Sequence, residues 1–449
     1  MIGGSQAAGT YDDVLVRLLG QLGDPGASKR DLLDRIGLLE RLKSACAAAQ
    51  VRVTAQLRAQ ERERLTPLGV PESDQLRSLG AEVGLARQES PVAGRRRLKL
   101  ASVLVADMPH TLEALESGSI SEWCADEVTT ETVLLSSDLR RELDAEVGGS
   151  LTGLSVGRAK LRARRVAQRL DPDIATLACD AAAGKRQVTI RPADHGMTYL
   201  TALLPLAAGV AAYAALHHAA AAAKAAGDER GRGQLMADLL AHRLITSATT
   251  ASAVGEQAAE GVADTATRLP GGVGVEIQLI MTDATLLDGD DEPALLNGQP
   301  IPAPLARRLA LATAGRKVRL WVRRLFTAPG SDQLITCDQT RRLFPDTVRT
   351  FLLARDQVCR TPWCGAPIRH ADHINGYADG GLTSLDNAQG LCENCNHTKE
   401  LDGWRHLPRS DGAVEILTPS GHRYLSHPPP PPRAESRDRD GELRRAPGS

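Results

Sequence analysis

The chain has 449 residues, with Lys+Arg 54 against Asp+Glu 55 and a formal net charge of -1 at pH 7. That balance excludes a uniformly basic nucleic-acid coat, so any contact with a polyanion must use local patches. Hydrophobic residues are 42% and aromatic residues 3%, a globular composition whose cores rest on Ala, Leu and Val, in a length that suggests two to four domains of about 150 residues each.

Met1 to Tyr11 lacks a basic stretch followed by an apolar one, so the N-terminal segment 1–27 is not read as a secretory signal and a cytoplasmic location is expected. Ser28-Lys29-Arg30-Asp31 resembles a capping box. Leu32, Leu33, Ile36, Leu39, Leu42, Ala45 and Ala49 then follow at helical spacing, which predicts a long amphipathic helix ending near Thr66-Pro67, where proline lacks the amide donor. Pro91 to Met108, Ile120 to Leu135, Leu139 to Val147 and Ser155 to Leu170 carry the same periodicity, separated by Gly or Ser. Alternation in Arg186 to Arg191, followed by a polar turn that leads to Met197 to Leu203, predicts a short hairpin.

Helices are expected again from Pro205 to about Thr246. Leu203 to Ala226 is mostly alanine and is interrupted by Pro205, His217-His218 and Lys224, so it reads as a buried helix, with no membrane contact. Ser252 to Pro270 has the composition of a mobile connection. Val273 to Thr282 and Lys317 to Phe326 read as strands, and Pro304 to Ala314 and Pro345 to Gln357 as helices. Pro428 to Pro432 opens a polyproline and mixed-charge tail, extended and disordered by composition, which leaves a polyproline-binding partner open.

A reducing compartment and uneven placement argue against disulfides among the eight cysteines. Cys46, Cys124, Cys179 and Cys337 are scattered and read as small core hydrophobes. Cys359 and Cys364 are separated by four residues, Cys392 and Cys395 by two. Two such knuckles suit one tetrahedral zinc, and four thiolates leave no position for water or substrate, so the ion would be structural.

Between the knuckles stand Arg369-His-Ala-Asp-His-Ile374, a glycine-containing loop from Gly376 to Gly381, and Leu385-Asp-Asn-Ala-Gln-Gly-Leu-Cys392; Asn396, His397 and Lys399 follow. This ordered set resembles the zinc-containing HNH endonucleases of the ββα-metal class, over about Val358 to Arg405. The region before it resembles, more diffusely, the long domain of unknown function that accompanies this module in high-GC bacteria. The expected fold class is α+β: a mainly helical region over 28–340 with short β-hairpins, a small ββα-metal module over 341–410, and a Pro-rich tail over 427–449.

The resemblance implies a metal-dependent endonuclease acting on DNA. It makes His373 the general base and Asp372 a ligand of a catalytic Mg2+ or Mn2+, and Asn387 the residue that secures the loop and orients the histidine. Many relatives carry a histidine ligand after the last cysteine, where this chain has Asn396. Asn396 is the favoured second ligand and His397 the alternative, since on a helix the two differ by about 100°. Asp372 and His373 are adjacent in a strand and should face opposite sides.

Lys399, three residues beyond Asn396, is a candidate phosphate contact. His370 reads as a surface histidine and Trp363 as packing. Arg158, Arg162, Arg165 and Arg169 fall at intervals of four, three and four, one positive stripe on a helix that would bind phosphates without reading bases. Arg95 to Arg97 with Lys99 form a second candidate patch. A non-catalytic, zinc-stabilised nucleic-acid-binding protein is the alternative reading, and a homodimer stays open.

Overall fold

A computed structural model describes residues 28–193, 197–250, 279–282, 284–296, 299–314, 344 and 346–429. The chain divides into two compact units, Met1–Ala178 and Cys179–Ser449. The expectations for Ser252–Pro270, for the strand Lys317–Phe326, for Cys337 and for most of the Pro-rich tail lie outside the described residues, as does residues 273–278 of the strand expected there.

The first unit is helical. Helix α1 (Lys29–Leu65) begins with the capping box read from the sequence: Ser28 accepts from the Asp31 amide while the Asp31 carboxylate accepts from the Ser28 amide. It ends at Thr66-Pro67 as expected. Next come α2 (Glu72–Ala86), α3 (Pro91–Asp107), α4 (Pro109–Glu116), α5 (Glu122–Thr130), α6 (Ser137–Val147) and α7 (Val156–Leu170). Ser90, Ser121 and Ser136 cap α3, α5 and α6 with their hydroxyls.

Helix α4 has no such neighbour. Its first amides are satisfied from a distance by the buried Asp144 of α6, whose carboxylate accepts from His110 N at 2.7 Å, Thr111 N at 3.0 Å and the Thr111 hydroxyl at 2.5 Å. Carboxylate placed at a helix N-terminus meets both the orphan donors and the positive end of the dipole. The apolar faces meet in one core that includes Leu104, Met108, Leu115, Val128, Leu143, Val147 and Leu151. Each fully buried leucine there contributes about 1.5–3 kcal/mol.

The second unit follows on from α8 (Pro172–Gly184). The predicted hairpin is present as β1 (Gln187–Pro192) paired antiparallel with β2 (Thr198–Leu203), Gln187 opposite Leu203. Helices α9 (Leu206–Ala225) and α10 (Arg232–Thr250) pack on each other. The expectation of a buried α9 is corrected: by length and composition it is apolar enough to cross a bilayer, yet Ala220 is its one buried residue among those described. Alanine methyls distributed around the whole helix leave no face large enough to build a core. A polar contact crosses to α10 instead, from His217 to Arg232 at 3.2 Å.

Short strands β3 (Leu279–Ile280), β4 (Ala294–Leu296) and β5 (Gln299–Ile301) form a meander beside α11 (Ala303–Ala314). The remaining elements build the module that carries the cysteines. Helix α12 (Asp346–Asp356) packs on β7 (Ala388–Leu391), which pairs antiparallel with β6 (His370–His373); α13 (Glu393–Lys399) follows. A second meander, β8 (Arg405–Pro408), β9 (Val414–Leu417) and β10 (Arg423–Ser426), completes it.

One buried ion pair ties these pieces together. Asp356 accepts from Gly390 N on β7 at 2.7 Å, from Arg355 Nε at 2.7 Å and from Arg360 Nη1 at 3.0 Å. Arg360 reaches on to the Ser426 carbonyl of β10 at 2.7 Å and the Gly412 carbonyl at 3.2 Å. Every charge in this network is paired and hydrogen-bonded, the condition under which buried charge is tolerated. Among the scattered cysteines Cys124 is buried as expected, whereas Cys46 and Cys179 are exposed.

Candidate active site

Four sulfurs converge. Cys359 follows α12, and the turn to Cys364 is closed by Cys359 N to the Ala366 carbonyl at 2.9 Å and Cys364 N to the Thr361 carbonyl at 3.1 Å. Trp363 takes a left-handed conformation in that turn and lays its ring edge-on to Tyr424 of β10, with centroids 6.0 Å apart, which is the packing role expected of it. Cys392 caps α13 and receives the Cys395 amide at 3.5 Å.

All four Sγ atoms lie within 4.8 Å of one another, with Cys364 to Cys392 at 3.8 Å and Cys364 to Cys395 at 3.6 Å. A tetrahedron with Zn–S bonds of ~2.3 Å has edges of about 3.8 Å, so the arrangement fits a structural zinc.

Beside this frame the β6–β7 register sets Asp372 opposite Gln389 and His373 opposite Ala388. Strand alternation sends the two side chains to different neighbours, as expected. Asp372 Oδ2 accepts from Gln389 Nε2 at 2.9 Å and forms an ion pair with Lys399 Nζ at 2.9 Å, while Oδ1 makes no hydrogen bond among the described residues. His373 instead meets the loop: its Nε2 is 2.9 Å from the hydroxyl of the fully buried Thr383, and its ring packs on Phe344 (centroids 4.3 Å) and Tyr377 (5.8 Å). Burial pushes the His373 imidazole below its ordinary value, Asp372 opposes that and Lys399 adds to it.

Asn387 clamps the loop onto the strand end. Its Oδ1 accepts from Asn375 N at 2.8 Å, and its Nδ2 donates to the carbonyls of Asn375 at 3.0 Å and Leu382 at 2.8 Å. Gly381 must be glycine, because a Cβ there would sit 1.9 Å from the Asn375 carbonyl oxygen. On α13, Asn396 Oδ1 is buried with no hydrogen-bond partner, the one such side-chain atom among the described residues. His397 is exposed, its ring 6.3 Å from that of His370.

Lys399 lies away from solvent, its side chain 7% exposed, bonding Asp372 and, at 2.6 Å, the His373 carbonyl. From the sequence it is a candidate phosphate contact; in the structure its ammonium is engaged within the site. In the first unit, Arg158, Arg162 and Arg165 are exposed on α7 with no ion pair among the described residues, but Arg169 pairs with Glu146. In the second candidate patch Arg97 is drawn into a half-buried cluster with Glu89, Glu122 and Asp126, and Arg96 lies 3.8 Å from Glu127, while Arg95 and Lys99 make no ion pair among the described residues.

Thr383, Gln389 and His406 are site residues that the sequence reading missed. A lone Thr or Gln in a short strand or loop carries no local signal; the alternation of Ala388-Gln389-Gly390 around a short apolar run was the only hint.

Residues 38–356 match the family described as Domain of unknown function (DUF222), over more than half of the chain. The chain belongs to the DUF222 family. Directly after that match, residues 357–401 match the family described as HNH endonuclease, so this DUF222 chain carries an HNH module holding both knuckles, Asp372, His373, Asn387 and Asn396. No curated protein and no solved structure matches the chain. The module supports a nuclease-type function for this DUF222 member, with DNA as the substrate class it implies.

Proposed function

We propose that this chain is a metal-dependent endonuclease that hydrolyses DNA phosphodiester bonds in the cytoplasm, with His373 as general base and Asp372 and Asn396 as holders of a divalent ion. The observation that carries the reading is the buried, unpartnered Oδ1 of Asn396. An unsatisfied buried oxygen costs about 1–3 kcal/mol, and no donor among the described residues offsets it. Asp372 Oδ1, which makes no hydrogen bond among the described residues, supplies a second hard oxygen. One carboxylate and one amide oxygen suit Mg2+ or Mn2+. His397, exposed and beside His370, has no comparable claim.

Such an ion, when bound, supplies charge relief at the phosphate and the departing oxygen. The other roles fall to the chain. His373, kept neutral by burial, accepts the proton of the attacking water at Nδ1 while Nε2–H donates to Thr383 Oγ1. Asn387 fixes the loop that holds Thr383 against the ring. Lys399 neutralises Asp372. Arg158, Arg162 and Arg165 provide sequence-independent phosphate contacts.

The test is nicking of supercoiled plasmid by the full chain in Mg2+ or Mn2+. Wild type is expected to nick, and His373→Ala to retain its zinc and lose the activity. Wild type that holds zinc, retains DNA in a salt-dependent way and cuts in neither ion would overturn the proposal in favour of a binding protein.

A further inference from the structure

The matched module ends at residue 401, yet the β8–β10 meander beyond it reaches back to the metal-side carboxylate. Gln389 is fully buried, and both ends of its amide are used. Nε2 donates to Asp372 Oδ2 at 2.9 Å, and both Nε2 and Oε1 lie 3.1 Å from Nδ1 of His406 on β8. His406 is buried as well. We infer that Gln389, oriented by His406, is a positioning residue for Asp372, so that the meander is a working part of the site. This rests on the assignment of Asp372 as a metal ligand.

The reasoning is one of orientation. A buried amide can be turned over with little change of shape, exchanging Nε2 for Oε1. Turned over, it would set a carbonyl oxygen against the Asp372 carboxylate. On this inference His406 takes the tautomer that donates from Nδ1, which accepts only one of the two settings, the one with Oε1 toward His406 and Nε2 toward Asp372. Gln389 and Lys399 then hold the same oxygen, Oδ2, and leave Oδ1 as the atom presented. The backbone is gripped from the other side, since Gly390 N bonds Asp356, which Arg360 connects to the Ser426 carbonyl of β10. Ligand carboxylates depend on such outer hydrogen bonds for their orientation.

Mn2+ affinity of the full-length chain, read by electron paramagnetic resonance of the free ion, tests this without reference to cutting. Zinc content and the unfolding midpoint are measured on the same samples. Gln389→Met and His406→Leu are each expected to weaken Mn2+ binding by roughly 10- to 100-fold with zinc retained. His406→Asn, whose amide can donate from nearly the place of Nδ1, should return affinity to within a few-fold of wild type. If either single variant loses its zinc, the double variant Gln389→Met/His406→Leu removes both buried polar partners together and takes its place, with the same weakening expected. Asp372→Asn reports the underlying assignment. If Asp372→Asn binds Mn2+ as wild type does, or wild type binds none, that assignment fails and this inference with it. If Asp372→Asn loses the ion while the folded Gln389 and His406 variants keep wild-type affinity, the positioning role alone is overturned. Loss in His406→Leu that His406→Asn does not repair would also overturn the part given to Nδ1.

Discussion

The hydroxyl of Thr383 lies 2.9 Å from Nε2 of His373, and no water has access to this threonine. In the proposed mechanism a proton on Nε2 is shared with Thr383, which leaves the lone pair on Nδ1 of the proposed base. Replacing Thr383 with valine keeps the shape and removes the acceptor. The expected result is a loss in kcat of about tenfold, the worth of one hydrogen bond of roughly 1.4 kcal/mol, with Mn2+ affinity and zinc content unchanged. Thr383→Ser should recover most of the rate. Equal rates for the valine and serine variants would remove the loop from base selection.

The pH profile follows from the same ring. His373 titrates below the ordinary histidine value of about 6.5, because burial disfavours its charged form and Lys399 adds repulsion, against the attraction of Asp372. A base must be neutral to act, so a lowered pKa extends activity toward acid: the acid limb of kcat should fall below pH 6.5. Lys399→Met removes one of the two lowering influences and should move that limb to higher pH. Nuclear magnetic resonance titration of the His373 ring checks the same shift in the absence of turnover; a midpoint above the ordinary value would contradict it.

Much of this was legible in the sequence, and the failures have physical causes. A capping box and a proline stop announced α1, apolar periodicity announced α3, α5 and α6, and the knuckle spacing announced the sulfur cluster. Helix α2 went unseen because Gly80 and Gly84 look like breakers and Pro71 offers no side-chain cap. Those glycines serve contact instead: a Cβ on Gly80 would lie 2.7 Å from Arg95 Cα, and one on Gly94 would lie 2.1 Å from the Gly80 carbonyl oxygen. Helices α2 and α3 thus meet backbone to backbone. The β8–β10 meander escaped because four-residue strands give too short a stretch for alternation to register. Gln389 escaped because what matters about it, two partners on two other strands, exists only after folding.

Around the sulfurs the apolar clusters are small: Val348, Phe351, Leu352, Leu385 and Ala388 on one side, Leu391 with the cysteines on the other. Clusters of that size do not hold a module on their own, so the metal should supply much of its folding free energy. Cys395→Ser, or a strong thiol-competing chelator, is expected to remove zinc and unfold the part built on β6, β7 and α13. Calorimetry should then lose one transition and keep the one belonging to the helical first unit. Survival of both transitions without zinc would show that the sulfurs are dispensable for folding.

The arginines of α7 differ in what surrounds them, and the difference is testable. Arg158, Arg162 and Arg165 face solvent with no ion pair among the described residues. Arg164 is bidentate on Glu131, with Nε at 2.8 Å and Nη2 at 2.9 Å, and Arg169 is held by Glu146. A phosphate can recruit the first three without breaking a bond, whereas the last two must first give up a carboxylate. Each phosphate neutralised contributes roughly −0.9 to the slope of log K against log salt. The triple Arg158→Gln/Arg162→Gln/Arg165→Gln variant should therefore flatten that slope by about two to three units, measured by fluorescence anisotropy with a duplex of arbitrary sequence. Arg164→Gln should leave the slope where it was, because its charge is already spent on Glu131. If both variants flatten it alike, pairing does not govern which arginines meet DNA, and if neither does, the stripe on α7 is a solvated helix face.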